Sequence, residues 1–262
     1  MPSKSPKSGS GRASAANGGS VPRRDPGSIF EPVEQLRAHE YVAEQIRRQI
    51  ALRLIPLGNA LPTERQLATQ FGVGRATVQN ALRLLEADRL VESRRGRNGG
   101  TFVVGPSTDD LAMDYLLARL RHEAPRVRDA LDFRALVEPA GASMAAKRLK
   151  KSDLDEIVVA ATKSATAETD IEFQTHDTEF HLAIARTARN GFIYDAVERL
   201  RLVLADPLAA LPASKVWQQR SSDQHAAIVQ ALKRRDAGEA AEAMAAHLRA
   251  TAKSVHALIE SL

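Results

Sequence analysis

From His39 onward the apolar residues Val42, Ile46, Ile50 and Leu54 recur every four positions, the spacing of one buried stripe on a helix over 39–53 that must stop ahead of Pro56. A turn is expected at Pro56-Leu57-Gly58. Thr63 then caps a short helix, because Gln66 stands three residues on and completes a capping-box pattern, and Gly72 is suited to ending it. Val78, Leu82 and Leu85 give a third helix over 75–87 its inward face. Two short β runs, 90–93 and 101–104, flank the loop Arg94-Arg95-Gly96-Arg97-Asn98-Gly99-Gly100 and predict a two-stranded wing. After Gly105-Pro106 no strand-like run follows. Helical patterns fall near 109–123, 127–150, 153–166, 171–188, 191–204, 214–234 and 236–260. Ser152 with Asp155, and Asp170 ahead of Ile171, are the expected N-terminal caps, and Pro207 and Pro212 are expected to break one connection. The fold class is therefore mainly α: a winged helix-turn-helix of three helices and a two-stranded wing, followed by an all-helical antiparallel bundle.

Composition sharpens the domain boundaries. Residues 1–28 are a basic Ser/Gly/Pro-rich tract with almost nothing to bury, read as a disordered tail. Residues 29–105 form the predicted DNA-reading domain, and 106–262 the helical domain. Charge follows the same division. Residues 1–105 hold 16 Lys/Arg against 9 Asp/Glu, a balance of +7, whereas 106–262 hold 21 against 23, a balance of −2. The first part is thus suited to a polyanion and the second is not. The chain contains no cysteine, which excludes disulfides, thiolate chemistry and Cys-based zinc sites and leaves imidazole and carboxylate as the strong metal ligands. No apolar run approaches the length of a membrane span, so no membrane partner and a cytoplasmic location are expected.

The stretch LPTERQLATQFGVGRATVQNALRLLEADRLVESRRGRNGGTFV resembles the DNA-binding domain of GntR-type transcription regulators over about residues 36–105. A second helix with exposed polar residues at its N-terminus suits a major groove on physical grounds as well. The resemblance implies that Arg65 meets backbone phosphate, that Arg75, Ala76, Thr77 and Gln79 begin the recognition helix with Arg75 as principal base reader, and that Arg95-Gly96 at the wing tip enters the minor groove. It places Arg94 and Arg97 on phosphates. Two positions depart from the family pattern: Gly74 replaces a serine and Gln79 an arginine. A glutamine there can pair with adenine, so the operator is expected to differ from the common family sequence.

In the second domain Phe173, Phe180 and Ile184 mark an apolar helix face, and Asp177 and His181 lie on or beside it four residues apart. His225 opens a stretch whose inward positions are Ile228, Val229 and Leu232. His247 stands among Met244, Leu248 and Thr251, across the tight turn Arg235-Asp236-Ala237-Gly238, so both imidazoles can point to one side of a hairpin. Asp177, His181, His225 and His247 can then converge as one oxygen and three nitrogens, a set suited to Zn2+ or another divalent transition metal such as Ni2+, Mn2+ or Fe2+. Isolated histidines on apolar faces are more often hydrogen-bonded core residues, and spacing alone does not decide between the two.

The segments DFRALVEPAGASMAA, HDTEFHLAIARTARN and DQHAAIVQALKRRDAGEAAEAMAAHL resemble the FCD ligand-binding domain of one GntR subclass over about 108–260. The resemblance implies an Asp and three His holding a metal, with a small carboxylate effector completing its coordination, and all four positions are filled here. Arg134 falls in the family's Arg-x-x-x-Glu pattern with Glu138, either as an effector clamp or as a plain i,i+4 ion pair. Asn190 is expected to end a helix through a structural hydrogen bond. The partners so implied are a pseudo-palindromic double-stranded operator, a second copy of the chain and the carboxylate. A metal-free acyl pocket and a metal-dependent hydrolase are the competing readings; no motif places a general base beside the ligands, and the hydrolase would leave the DNA-reading domain unexplained.

Overall fold

The computed structural model describes residues 37–96, 99–104, 110–211 and 214–262, and it builds the head from three helices and a hairpin. The helices are α1 (Ala38–Ala51), α2 (Glu64–Phe71) and α3 (Arg75–Ala87), and the hairpin pairs β1 (Val91–Arg94) with β2 (Gly100–Val103) in antiparallel register, Val91 opposite Val103. Val42, Ala43 and Ile46 of α1 bury against Leu67, Val78, Leu82 and Leu85, with Val91 and Val103 closing the same core. Thr63 caps α2 as expected, accepting from the Gln66 N–H while the Gln66 side chain accepts from the Thr63 N–H, and Gly72 ends the helix in the left-handed region at φ +65°. Both strands sit one residue from their expected bounds. At the base the Leu90 N–H is committed to the Leu85 carbonyl in the closing turn of α3, and at the far end Arg94 pairs with Gly100. The tail at 1–28, the linker Gly105-Pro106, Arg97 and Pro212 lie outside the described residues.

Six helices make the bundle: α4 (Asp110–Arg148), α5 (Lys151–Ala165), α6 (Asp170–Thr187), α7 (Gly191–Ala209), α8 (Lys215–Lys233) and α9 (Ala237–Ser261). One helix, α4, replaces the expected pair over 109–123 and 127–150 and carries Pro125 and Pro139 inside it. An internal proline costs about 3 kcal/mol. Leu120, Ala124, Val127 and Leu131 hold a single buried stripe across Pro125, packed with Leu200, Leu204 and Val255, and that burial outweighs the lost backbone bond. Pro207 likewise does not break the chain, because it is buried within α7 beside Leu204 and Leu208.

Three expected caps are corrected. The α5 terminus is closed not by Ser152 with Asp155 but by Asp153, whose carboxylate accepts from the Lys150 N–H at 2.9 Å. At α6 the cap is Thr169 rather than Asp170, in a reciprocal pair with Glu172. Asn190 does make a structural hydrogen bond, but at the opposite kind of terminus: it caps the start of α7, accepting from the Phe192 and Ile193 N–H groups. A side chain that satisfies two of the free donors at a helix start is worth about 1 kcal/mol there.

Candidate functional site

α6 turns one face inward through Phe173, Phe180 and Ile184, all nearly fully buried, and this carries Asp177 and His181 into the bundle one turn apart. α8 and α9 form an antiparallel hairpin, closed where Arg235 adopts φ +55° and Asp236 caps α9 through the Gly238 and Glu239 N–H groups. The hairpin presents His225 and His247 to the same point. One ligating atom from each of Asp177, His181, His225 and His247 lies within 4.8 Å of all the others, and all four residues are buried. His181 Nε2 and His247 Nε2 are 3.2 Å apart; Asp177 Oδ1 is 3.2 Å from His225 Nε2 and 3.7 Å from His181 Nε2. Two ligands each about 2.1 Å from a tetrahedral ion stand about 3.4 Å apart, so the spacing fits such an ion.

The groups behind the ligands fix their tautomers. Glu138 Oε2 lies 2.5 Å from His181 Nδ1 and Gln224 Oε1 lies 3.1 Å from His247 Nδ1, so each ring donates from Nδ1 and turns a lone pair on Nε2 toward the centre. The two lone pairs face each other, and only the His181 one has a donor, Arg134 Nη2 at 3.2 Å. His225 stacks on Phe180 with 4.2 Å between ring centroids, and among the described residues neither of its nitrogens makes a hydrogen bond. Its 3.2 Å approach to Asp177 is an electrostatic contact without hydrogen-bond geometry. A buried imidazole left in this way is costly unless a cation takes its lone pair.

Burial lowers the His181 pKa below its ordinary value, with Glu138 opposing and Arg134 adding to the effect. His247 is pushed further down by burial, then by His225 and His181 beside it. Burial would raise both carboxyls; the Arg134 charge foremost, with the hydrogen bond from His181, outweighs it at Glu138, and Arg201 foremost at Asp177, so both end well below the carboxylate range. The centre therefore holds two ionised carboxylates beside neutral His181 and His247, the protonation a metal requires of these groups. The unfolded chain takes up histidine protons near the ordinary value of 6.5, whereas the folded chain resists them until lower pH. Below that value the unfolded state binds more protons and stability falls as pH falls, and the depressed carboxyls continue the loss below about 4. The melting temperature of metal-free protein is expected to decline steadily from pH 7.5 to pH 5; a rise over that range would contradict neutral buried imidazoles.

Of the two readings of Arg134, the i,i+4 ion pair is present. Its Nε donates to Glu138 Oε1 at 2.5 Å in an i,i+4 ion pair, while Nη2 points at the centre. A second buried guanidinium, Arg201, has no counterpart in the sequence reading. Its Nη2 donates to Asp177 Oδ2 and to Thr178 Oγ1, each at 2.6 Å, while Nε and Nη1 are buried without a hydrogen-bond partner among the described residues. The signal was present: Val197, Leu200, Leu204 and Leu208 give α7 an apolar face, and Arg201 falls upon it. Asp177, His247, Arg134 and Arg201 line a cavity of about 20 Å3 that extends to Phe173 and Trp217.

On the head, Arg75, Ala76 and Gln79 lie exposed at the start of α3, Thr77 is half-buried beside them, and Arg65 is exposed on α2. The α3 terminus begins at Gly74 without a side-chain cap, so its first N–H groups are open to an anion. Gln79 Nε2 donates to Glu64 Oε2 at 2.9 Å, which ties the recognition helix to α2. Arg94 lies over the Phe102 ring at 4.7 Å and within 3.3 Å of Glu92, on the strand rather than at the tip. Arg95 and Gly96, exposed, make the tip, with Gly96 at φ +116°.

A winged helix-turn-helix joined to a bundle with a buried Asp/His centre defines a DNA-binding transcription regulator. Comparison with known proteins agrees: residues 38–103 match bacterial regulatory proteins of the gntR family, and 129–250 match the FCD domain. An Escherichia coli K12 regulatory protein named for the L-lactate dehydrogenase operon is 30% identical over 229 residues, covering 81% of this chain and 84% of that protein. The HTH-type transcriptional regulator RmpR of Mycobacterium gastri is 29% identical over 226 residues, covering 84% and 81%. Among solved structures, E. coli McbR/YncC shares the fold at a TM-score of 0.50 and 18% identity, covering 85% of this chain and 99% of that one. This chain belongs to the GntR family of regulators, in the subclass with an FCD domain, and the family's activity is transcription regulation, not catalysis. Among the described residues no helix is long and apolar enough to cross a membrane.

Proposed function

We propose that the protein is a cytoplasmic homodimer whose affinity for a pseudo-palindromic operator is set by a small carboxylate bound at a metal centre. Arg65, Arg75, Ala76, Thr77, Gln79 and the wing residues Arg94, Arg95 and Gly96 meet DNA; Asp177, His181, His225 and His247 hold a divalent transition ion, Zn2+ first among those suited to three nitrogens and one oxygen. The ion would supply Lewis acidity toward an anionic ligand. The observation that carries this reading is the pair of facing imidazole lone pairs beside buried Arg201 N–H groups with no acceptor: the first lacks a cation, the second an anion. A metal ion and a carboxylate satisfy both.

Charge agrees, since Arg134 and Arg201 balance Glu138 and Asp177, and a divalent ion would leave the centre positive. Relatives named for the L-lactate dehydrogenase and Glc operons also favour an organic acid. An acyl ligand has no comparable match, because the cavity walls carry the charged groups of Asp177, Arg134 and Arg201. The test is calorimetric titration of metal-loaded protein with L-lactate, malonate and citrate, in parallel with operator binding. At least one acid should bind and change operator affinity. Arg134→Lys keeps a cation beside Glu138 but loses the guanidinium fork, so it should weaken that acid about tenfold with metal content unchanged. Failure of all three acids to bind would contradict the carboxylate reading.

A further inference from the structure

The C-terminal end of α1 belongs by sequence to the DNA-reading head, yet it is sunk into the bundle. Leu52, 1% exposed, packs not in the head core but with Leu182, Ala185 and Val197 of α6 and α7. Arg53, the next residue, closes α1 in the left-handed region at φ +59°, a conformation that disfavours any residue with a side chain. The turn is held by the Arg53 N–H on the Ile50 carbonyl and the Leu54 N–H on the Gln49 carbonyl. The Arg53 carbonyl in turn accepts from Thr175 Oγ1 at 2.7 Å, and Thr175 precedes Asp177 by two residues on α6. Leu54 packs against the same bundle cluster, and Arg48 Nη1 donates to Glu198 Oε2 at 3.0 Å.

Leu52 and Arg53 also line the cavity that Asp177, Arg134, Arg201 and His247 line from the bundle side. The Arg53 guanidinium makes no hydrogen bond or ion pair within 4 Å among the described residues, although burial weighs against its charge and only Asp206 lends it support. The cavity, at about 20 Å3, accepts one water-sized group, so an organic acid enters only if a wall moves. Phe173, Asp177, Thr178, Arg201 and Leu208 are built into the bundle core. Among the described residues the Leu52-Arg53 wall is held by the apolar side chains of Leu52 and Leu54, one hydroxyl bond and one partly exposed ion pair, far less than holds the core residues opposite.

We propose that Arg53 is an effector-contacting residue carried by the DNA-reading head, so that a carboxylate bound at the bundle's centre is held jointly by Arg201 and Arg53 and repositions the head directly. This rests on the carboxylate reading above and adds a route for its effect: the ligand has different contacts with the head in its two positions, which is what a shift between them requires. The strained turn is then the point at which occupancy is converted into movement of α1.

Arg53→Gln tests this, because it keeps a polar side chain of similar reach and leaves the backbone contact to Thr175 intact. The probes are L-lactate, malonate and citrate on metal-loaded protein, read by calorimetry and by the fluorescence of Trp217, the single tryptophan of the chain, which lines the same cavity. Arg53→Gln should bind the acid that the wild type binds at least tenfold more weakly. At saturating acid its operator affinity should no longer change, while metal content and operator affinity without acid stay at wild-type values. Wild-type protein that binds an acid, with Arg53→Gln binding it equally and responding equally, overturns the proposal and leaves the carboxylate reading standing. Wild-type protein that binds none of the acids overturns both.

Discussion

Arg75→Ala is expected to erase sequence preference in DNA binding while leaving the fold and the bundle untouched. Arg75 is the first residue of α3, exposed, and free of hydrogen bonds among the described residues, so truncating it removes nothing the head needs for stability. A guanidinium that reads a guanine is worth about 1–3 kcal/mol of discrimination, and a two-fold symmetric complex loses it at both half-sites. In gel-shift competition the variant should lose its preference for operator over random duplex and keep most of its non-specific affinity. Arg94→Ala should behave differently, weakening both kinds of DNA together and flattening the salt dependence, since a phosphate contact carries no sequence information. An Arg75→Ala protein with intact sequence preference would move the reading function elsewhere on α3.

Removal of the metal is expected to cost the bundle much of its stability. An ion bound a thousandfold above its dissociation constant contributes about 4 kcal/mol, which for a chain of this size is roughly 10 °C in melting temperature. The effect should be confined to the intact ligand set. In His225→Ala the remaining three ligands hold the ion weakly, so loaded and chelated protein should melt at nearly the same temperature. A chelator that lowers the melting temperature of wild type and of His225→Ala equally would place the ion elsewhere.

The head was legible in the sequence almost to the residue because its signals are local: the Thr63 and Gln66 reciprocal cap, the left-handed Gly72, and a period-four stripe closed by proline. Those interactions span fewer than five residues and need no knowledge of the rest of the chain. The bundle was less legible where tertiary burial overrides a local breaker, as at Pro125, exposed on a helix whose buried stripe runs past it, and at Pro207, itself buried. The four candidate ligands could be named because each sits on an amphipathic face whose direction periodicity gives. Their supporting groups could not, since Glu138, Gln224 and Arg201 come from three other positions in the bundle and act through contacts 23 to 43 residues away in sequence. Arg53 was the least legible of all. Nothing in its neighbourhood distinguishes a helix-ending arginine from one that reaches into the cavity of another domain.

The central claim is that the buried Asp/His cluster is a metal centre, and elemental analysis of protein purified without a histidine tag tests it most directly. Wild type should carry close to one divalent transition ion per chain, and Asp177→Ala and His225→Ala should each carry markedly less while remaining folded by circular dichroism. Wild-type protein that contains no transition metal after purification, and that takes up none on incubation with Zn2+, Ni2+, Mn2+ or Fe2+, would contradict the account and return the four residues to the role of core hydrogen-bonding groups.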